Sequence, residues 1–231
     1  MEVLRNRLAA AALEALALFL PVQCAGCDEP GAAVCERCAG DLGGPVLRRD
    51  LGAGFVVWAG AEYTGTVRRA LLALKNEQRT DAARALSGLL VAAIGAALDE
   101  RPVPSPGPIT LAALPSTRAA YRRRGYRPID VLVRPTGIRL EHPFAWQRQP
   151  VDQIGLGRDA RQANLAGSMR ARRAAAGRRF LLVDDVVTTG GTLREAHRAL
   201  TAAGAQVLGA AVVAGTPRRI LPTSTAPHFA Q

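Results

Sequence analysis

The residues of this chain that are best suited to chemistry are two adjacent acids followed by threonines and glycines. Asp184 and Asp185 end an apolar stretch that starts at Phe180, and the run Val186-Val187-Thr188-Thr189-Gly190-Gly191-Thr192 follows directly. Carboxylates can accept hydrogen bonds from two vicinal sugar hydroxyls or hold a divalent cation. Glycines allow positive φ and let successive backbone N–H groups close around an anion. The spacing therefore predicts a site for a sugar that carries a phosphate.

A strand and a helix must position this run. The apolar residues before the acids predict a strand buried on both faces, and residues 193–203 have a helical pattern. This order places a helix N-terminus behind the loop, where it favours an anion. Hydroxyls of Thr188, Thr189 and Thr192 could donate to phosphate oxygens. An ordinary turn with a capping threonine is the alternative, and it would leave two buried acids without a ligand or metal.

A second cluster of candidate binding residues follows another predicted strand, residues 109–114. Pro115-Ser116-Thr117 comes next, and five arginines then occur within ten residues: Arg118, Arg122, Arg123, Arg124 and Arg127. Ligands of open α/β sheets bind at the carboxyl ends of strands, and arginine matches phosphate geometry through paired hydrogen bonds. A run of arginines usually forms a basic helix that is exposed to solvent. Because this run follows a strand end, we favour a pyrophosphate-binding site instead.

The cysteines form two Cys-x-x-Cys pairs near the N-terminus. They are Cys24, Cys27, Cys35 and Cys38, and the chain has no others. Two such pairs can complete a closed tetrahedral site, so the pattern predicts structural Zn²⁺ without an open catalytic position. Disulfides would need an oxidising compartment, and a redox pair would be expected beside a thioredoxin-like βαβ unit. A segment this small would depend on the metal for much of its folding.

The net charge and the aromatic content of the chain indicate which kinds of partner it can bind. The formal net charge is +11, and Lys75 is the only lysine among the 30 basic residues. This charge favours anionic partners, but aromatic residues make up only 4%, which is few for base-stacking surfaces.

The apolar run at residues 8–20 is interrupted by Glu14 and is too short to span a bilayer, so an amphipathic helix is favoured over a signal peptide. We therefore expect no membrane span and a cytoplasmic location.

Predicted strands and helices alternate through the body, which indicates an α/β fold with a mostly parallel sheet. We expect a helix and metal-binding segment over residues 1–50, an α/β domain over 51–215 and a loosely ordered tail over 216–231. Residues 40–54 are expected to be a linker, and residues 148–167 are either a mobile loop over the substrate or a plain surface connection. Further predicted elements are strands at 55–59 and 206–213 and helices at 67–75, 81–98 and 129–133. Thr80 or Asp81 is the expected cap of helix 81–98.

The acidic run resembles the phosphoribosyl-pyrophosphate (PRPP) motif of the type I phosphoribosyltransferases. The wider chain resembles the ComF/GntX family, in which a zinc ribbon is fused to a phosphoribosyltransferase-like domain. That resemblance is carried by four further blocks: Leu20-Pro21-Val22-Gln23-Cys24-Ala25-Gly26-Cys27, the segment from Tyr63-Thr64-Gly65 to Leu74-Lys75, Arg122-Arg123-Arg124-Gly125-Tyr126, and Gln153-Ile154-Gly155-Leu156 with Arg161-Gln162-Ala163-Asn164-Leu165-Ala166-Gly167.

The resemblance implies roles for these residues and two readings of function. As a phosphoribosyltransferase, the chain would hold the ribose with Asp184 and Asp185, partly through Mg²⁺, and close Arg161 over the site. The 5′-phosphate would lie on residues 187–192, and pyrophosphate would be bound by Ser116, Arg118, Arg122, Arg123 and Arg124. As an adaptor, it would bind a ligand, a DNA-uptake protein or single-stranded DNA without turnover, because ComF-like proteins are linked to DNA uptake.

Overall fold

A five-stranded sheet organises the molecule. The computed structural model describes residues 22–100, 107–148 and 165–217. Within these ranges the sheet order is β1-β2-β7-β6-β3, with β1 antiparallel to β2 and the other neighbours parallel. A short antiparallel pair, β4 and β5, lies outside this sheet. The strands are β1 Leu47–Asp50, β2 Val56–Glu62, β3 Ile109–Ala113, β4 Phe144–Trp146, β5 Met169–Ala171, β6 Arg179–Val187 and β7 Gln206–Gly215.

Helices cover both faces of the sheet. They are α1 Glu36–Gly40, α2 Gly65–Asn76, α3 Ala83–Asp99, α4 Arg118–Arg124, α5 Pro128–Val133 and α6 Gly191–Ala202, with 3₁₀ turns at Thr80–Ala82, Arg134–Thr136 and Arg173–Ala175. One apolar cluster joins α2, α3 and α5 to one face, and another joins α6, β4 and β5 to the opposite face. Strand β6 supplies both: Leu181 and Val183 enter the first cluster, and Phe180 and Leu182 enter the second. This explains why its sequence is continuously apolar rather than alternating.

Helix α3 lies directly on strand β2 because Gly60 carries no side chain. A Cβ at Gly60 would lie 2.1 Å from the carbonyl oxygen of Leu89, which is a backbone atom. The range Thr80–Asp99 is long and apolar enough to cross a membrane by composition alone, but half of its apolar window is buried inside this fold. A core helix passes the same test, and the packing against β2 accounts for its apolar residues.

The cysteine segment packs onto the α/β domain. Ala25 and Leu42 belong to the same apolar cluster as Val67 of α2. The hydroxyl of Thr66 donates to Asp41 at 2.9 Å, and a guanidinium N–H of Arg79 donates to the carbonyl of Gln23. The two parts therefore share a core and polar contacts.

Most predicted elements are confirmed, with shifted ends. Residues 40–54 are not simply a linker, as predicted, because β1 pairs there with β2. The predicted helix 81–98 begins as a 3₁₀ turn, and neither Thr80 nor Asp81 caps α3, since its N-cap is Ala82. The predicted amphipathic helix at 8–20 and the tail beyond residue 217 lie outside the described residues.

Candidate functional site

The acids and the small-residue loop occupy the junction between β6 and α6. Strand β6 runs through Asp184 and Asp185 to Val187, and α6 begins at Gly191. Gly190 is the N-cap of α6 and has a left-handed conformation with φ 79°. Its missing side chain also admits a neighbour, because a Cβ there would lie 2.5 Å from Leu51 Cδ1. The residue is therefore fixed both by backbone conformation and by packing.

The carbonyl groups of Thr188 and Thr189, in the loop between β6 and α6, accept hydrogen bonds from side chains. Arg49 donates to the carbonyl of Thr188 at 2.7 Å, and the hydroxyl of Thr216 approaches the same oxygen at 3.3 Å. Arg194 donates to the carbonyl of Thr189 at 3.0 Å and to that of Leu51 at 3.0 Å. In a trans peptide the N–H points opposite to the C=O. The N–H groups of residues 189 and 190 therefore point away from these side chains, as an anion site requires.

Lys75 neutralises part of the acidic pair. Its Nζ lies 2.8 Å from Asp185 Oδ1, and both side chains are mostly sheltered, with 20% and 15% of their surface exposed. Burial and the neighbouring Asp185 carboxylate raise the pKa of Asp184 to about 7, although Lys75 acts in the opposite direction. The backbone N–H of Asp185 donates to Asp184 Oδ1 at 2.9 Å. Each acid therefore has one oxygen already engaged.

The arginine segment after β3 divides into two groups. Ser116, Arg118 and Arg122 line a cavity of about 270 Å³ together with Tyr121 and Arg127. Arg127 also lies over the ring of Tyr121, with its guanidinium carbon 5.2 Å from the ring centre. A cavity with several guanidinium groups suits a compact anion such as pyrophosphate.

The other arginines of this segment are placed differently. Arg124 donates from Nε to the carbonyl of Lys75 at 2.7 Å, so it contacts the backbone of α2. Arg123 is exposed on α4. The structure therefore brings Ser116, Arg118 and Arg122 to one cavity and leaves Arg123 and Arg124 outside its lining. Arg161 lies outside the described residues.

The acidic pair fits a directly bound Mg²⁺ poorly. Its carboxylates are the donor type that Mg²⁺ prefers. The ammonium of Lys75, however, already contacts Asp185 at 2.8 Å, and a divalent cation beside it would be repelled. The residues of the pair are better matched to sugar hydroxyls, which donate hydrogen bonds and carry no charge.

The four cysteines converge as the sequence predicts. Their sulfur atoms all lie within 4.8 Å of one another, and Cys27 Sγ is 3.7 Å from Cys35 Sγ. Tetrahedral zinc with Zn–S bonds of about 2.3 Å separates its sulfurs by about 3.8 Å, so the cluster matches this metal in donor type and in size. The cluster could thus bind a structural metal ion.

The local backbone supports thiolate ligands. Burial alone would raise the pKa of Cys24, but backbone N–H groups of Cys35 and Gly26 donate to its sulfur at 3.3 Å, and the pKa falls to about 6. Burial raises the pKa of Cys38 to about 12, so this thiol would give up its proton only to a metal. Gly26 allows the close packing, since a Cβ there would lie 2.7 Å from Cys38 Sγ.

Sequence reasoning missed several residues that shape the site. Lys75 contacts Asp185, and Arg49 and Arg194 contact the loop that follows the acids. None of the three lies within residues 184–192. Glu195 is buried and accepts N–H donors from Gly167 at 3.2 Å and Met169 at 2.9 Å, which ties β5 to α6. Lys75 is the one that could have been found, because it is the only lysine of the chain.

Comparison with known proteins finds similarity to two kinds of protein, phosphoribosyltransferases and DNA utilization proteins. Residues 139–229 match the family described as phosphoribosyl transferase domain. The DNA utilization protein YhgH of Salmonella typhi is 30% identical over 152 residues, which cover 63% of this chain and 65% of that protein. YhgH of Escherichia coli strain K12 gives the same identity and coverage. Adenine phosphoribosyltransferase of Streptomyces galbus is 33% identical over 118 residues, which cover 46% of this chain and 65% of that enzyme.

These similarities confirm two predictions. Residues 139–229 are similar to the phosphoribosyl transferase domain, and the similarity to YhgH supports the resemblance to the ComF/GntX family. The fold class is confirmed as well, since parallel strands flanked by helices are joined to a four-cysteine cluster. The chain spans 65% of the length of the relatives described above, which is less than two thirds.

Proposed function

We propose that this chain binds PRPP or a related ribose phosphate at the β6–α6 junction and acts in DNA uptake or utilization as a ComF-type protein. Asp184 and Asp185 would accept hydrogen bonds from the ribose hydroxyls. Residues 187–192 would hold the 5′-phosphate, and Ser116, Arg118 and Arg122 would hold pyrophosphate, which Mg²⁺ would accompany. The proposal also places structural zinc on the four cysteines and the protein in the cytoplasm.

One observation carries the proposal. Side chains of Arg49, Arg194 and Thr216 bind the carbonyl groups of Thr188 and Thr189, so the intervening N–H groups point the other way. A loop held in this orientation, at the N-terminus of a helix of 12 residues, is prepared for an anion before the anion arrives.

Calorimetric titration of MgPRPP tests this proposal. Wild-type protein should bind PRPP, and Asp184→Asn with Asp185→Asn should weaken binding by at least about tenfold because two carboxyl groups that accept from the ribose hydroxyls are replaced by amides. Asp99→Asn, at an exposed position of α3, is the matched control and should bind as wild type. Undetectable binding by the folded wild-type protein, or equal binding by the double variant, would contradict the proposal.

A pyrophosphate-release assay distinguishes an enzyme from a non-catalytic adaptor. Release of pyrophosphate in the presence of a panel of purine and pyrimidine bases would identify a phosphoribosyltransferase, in which fixed charges stabilise the cationic ribose and the leaving group. The named relatives favour different outcomes, since one is called an adenine phosphoribosyltransferase and others are called DNA utilization proteins. PRPP binding without pyrophosphate release would favour the adaptor. Salt-sensitive binding of single-stranded DNA without PRPP binding would favour a nucleic-acid module.

A further inference from the structure

We propose that Lys75 is the resident cation of the acidic pair, so that the ribose end of the ligand is bound without a metal ion on Asp184 or Asp185. The inference rests on the proposed function and adds a residue and a metal requirement to it. Mg²⁺ would then be needed only where pyrophosphate is present. Ribose 5-phosphate, which lacks pyrophosphate, should therefore bind in the absence of divalent cations.

The position of Lys75 is fixed by the structure around it. Lys75 lies in the last turn of α2, where helix carbonyls lack partners within the helix. Arg124 donates to the carbonyl of Lys75 at 2.7 Å, and the hydroxyl of Tyr126 donates to the carbonyl of Leu74. Both donors lie between Arg122 and Arg127, which line the proposed pyrophosphate cavity. The end of α2 is therefore held by the same segment that lines this cavity.

The environment of the ammonium makes it an effective counter-ion. The Lys75 Nζ to Asp185 Oδ1 distance is 2.8 Å, and only 20% and 15% of the two side chains are exposed. A sheltered pair is screened by salt much less than a surface pair. The ammonium thus supplies at Asp185 the positive charge that a metal ion would otherwise bring.

The remaining acceptors suit a sugar. Asp185 uses one oxygen for Lys75, and Asp184 uses one for the N–H of Asp185 at 2.9 Å. Each carboxylate keeps a second oxygen, which matches the two vicinal hydroxyls of ribose. A metal ion on those oxygens would lie close to the Lys75 ammonium, and like charges there are disfavoured.

The experiment measures ribose 5-phosphate binding by calorimetry with and without Mg²⁺. The buffer is cleared of divalent cations before protein is added, so that metal on the cysteines is retained. The variants are Lys75→Met, Lys75→Arg, which keeps the charge, and Arg84→Met, which removes one positive charge from an exposed position of α3. Circular dichroism and thermal unfolding check the fold of each variant. Electron paramagnetic resonance with Mn²⁺ reports a directly bound metal in each.

The expected result is that Mg²⁺ changes the wild-type affinity by less than about twofold, whereas Lys75→Met loses at least about tenfold without Mg²⁺. Mg²⁺ should partly restore binding by Lys75→Met, which should also gain a Mn²⁺ signal because the acids are no longer neutralised. Arg84→Met should match the wild type. If Lys75→Met does not fold, Lys75→Arg should still bind ribose 5-phosphate without Mg²⁺, and the wild type should show no Mn²⁺ at the acids.

Three results would overturn the inference. They are wild-type binding that requires Mg²⁺, Mn²⁺ bound at the wild-type acids, and Lys75→Met binding equal to wild type without Mg²⁺. Each of these leaves the proposed function standing, because ribose phosphate still binds. If the wild type binds neither ribose 5-phosphate nor MgPRPP, the proposed function itself fails, and the inference fails with it.

Discussion

Two adjacent glycines at the β6–α6 junction, Gly190 and Gly191, should respond differently to the same substitution. Gly190 has φ 79°, and a Cβ there would lie 2.5 Å from Leu51 Cδ1 and 3.0 Å from Leu51 Cδ2. Gly191 has no positive φ, and its Cβ would lie 3.1 Å from Leu165 Cδ1, the end of a side chain that can move. Gly190→Ala should therefore be costly, and Gly191→Ala should be nearly tolerated.

The cost of Gly190→Ala has two sources. A non-glycine residue in the left-handed region is disfavoured by about 1–2 kcal/mol. Overpacking against a buried side chain costs about 1–3 kcal/mol more. The free energy of unfolding should thus fall by roughly 2–5 kcal/mol, depending on how far Leu51 can shift. Gly191→Ala should change it by less than about 1 kcal/mol, since a flexible neighbour can give way.

Urea unfolding, followed by circular dichroism, measures both values. Gly88→Ala is the control for an added methyl group, because Gly88 lies in α3 with open space around its Cβ position, and it should stabilise by up to about 1 kcal/mol. MgPRPP titration of the folded variants should show weaker binding for Gly190→Ala than for Gly191→Ala. If Gly190→Ala is as stable as the wild type and binds equally well, the loop conformation described for residues 188–191 is incorrect.

Three further predictions concern the rest of the site. Replacing Cys35 by Ser should release the bound metal, which a colorimetric zinc assay on the purified protein measures against Ser87→Ala; retained metal would refute the four-cysteine site. Glu195→Gln should lower the free energy of unfolding by about 1–3 kcal/mol, because a buried acceptor for two N–H donors and Arg198 is replaced; unchanged urea midpoints would contradict this. The pKa of Asp184 is raised from its ordinary 3.8 to about 7, so the folded state holds a proton that the unfolded chain releases. Its contribution to stability is therefore present below about pH 4 and is lost as the pH rises through about 7; Asp184→Asn should remove that loss, and parallel pH profiles of the two proteins would show the assignment to be wrong.

The sequence predicted the elements whose local pattern is unambiguous. Strand β6 is an unbroken apolar run because it is buried on both faces, and the small-residue loop marks where it gives way to α6. The four cysteines could be placed together because two Cys-x-x-Cys pairs leave few other arrangements. The acidic pair was found for the same reason, since adjacent acids at the end of a buried strand are unusual.

Elements that depend on distant partners could not be predicted. Strand β1 has the sequence Leu-Arg-Arg-Asp, which has little intrinsic preference for a strand, and it forms by pairing with β2. Lys75 contacts an acid 110 positions later in the chain, and Arg194 reaches back 143 positions to Leu51. No local sequence pattern indicates contacts between residues that are so far apart in the chain. The division of the arginines between the cavity and the end of α2 likewise follows from the helical geometry of α4.

The central claim is that backbone N–H groups of the β6–α6 loop bind a phosphate. Titration of ¹⁵N-labelled protein with ribose 5-phosphate, followed by amide chemical shifts, tests it most directly. The amide resonances of Thr189 and Gly190 should shift most and saturate together, while that of Gly88, an exposed glycine of α3, should not move. Saturable binding that leaves the resonances of residues 188–192 unchanged would contradict it.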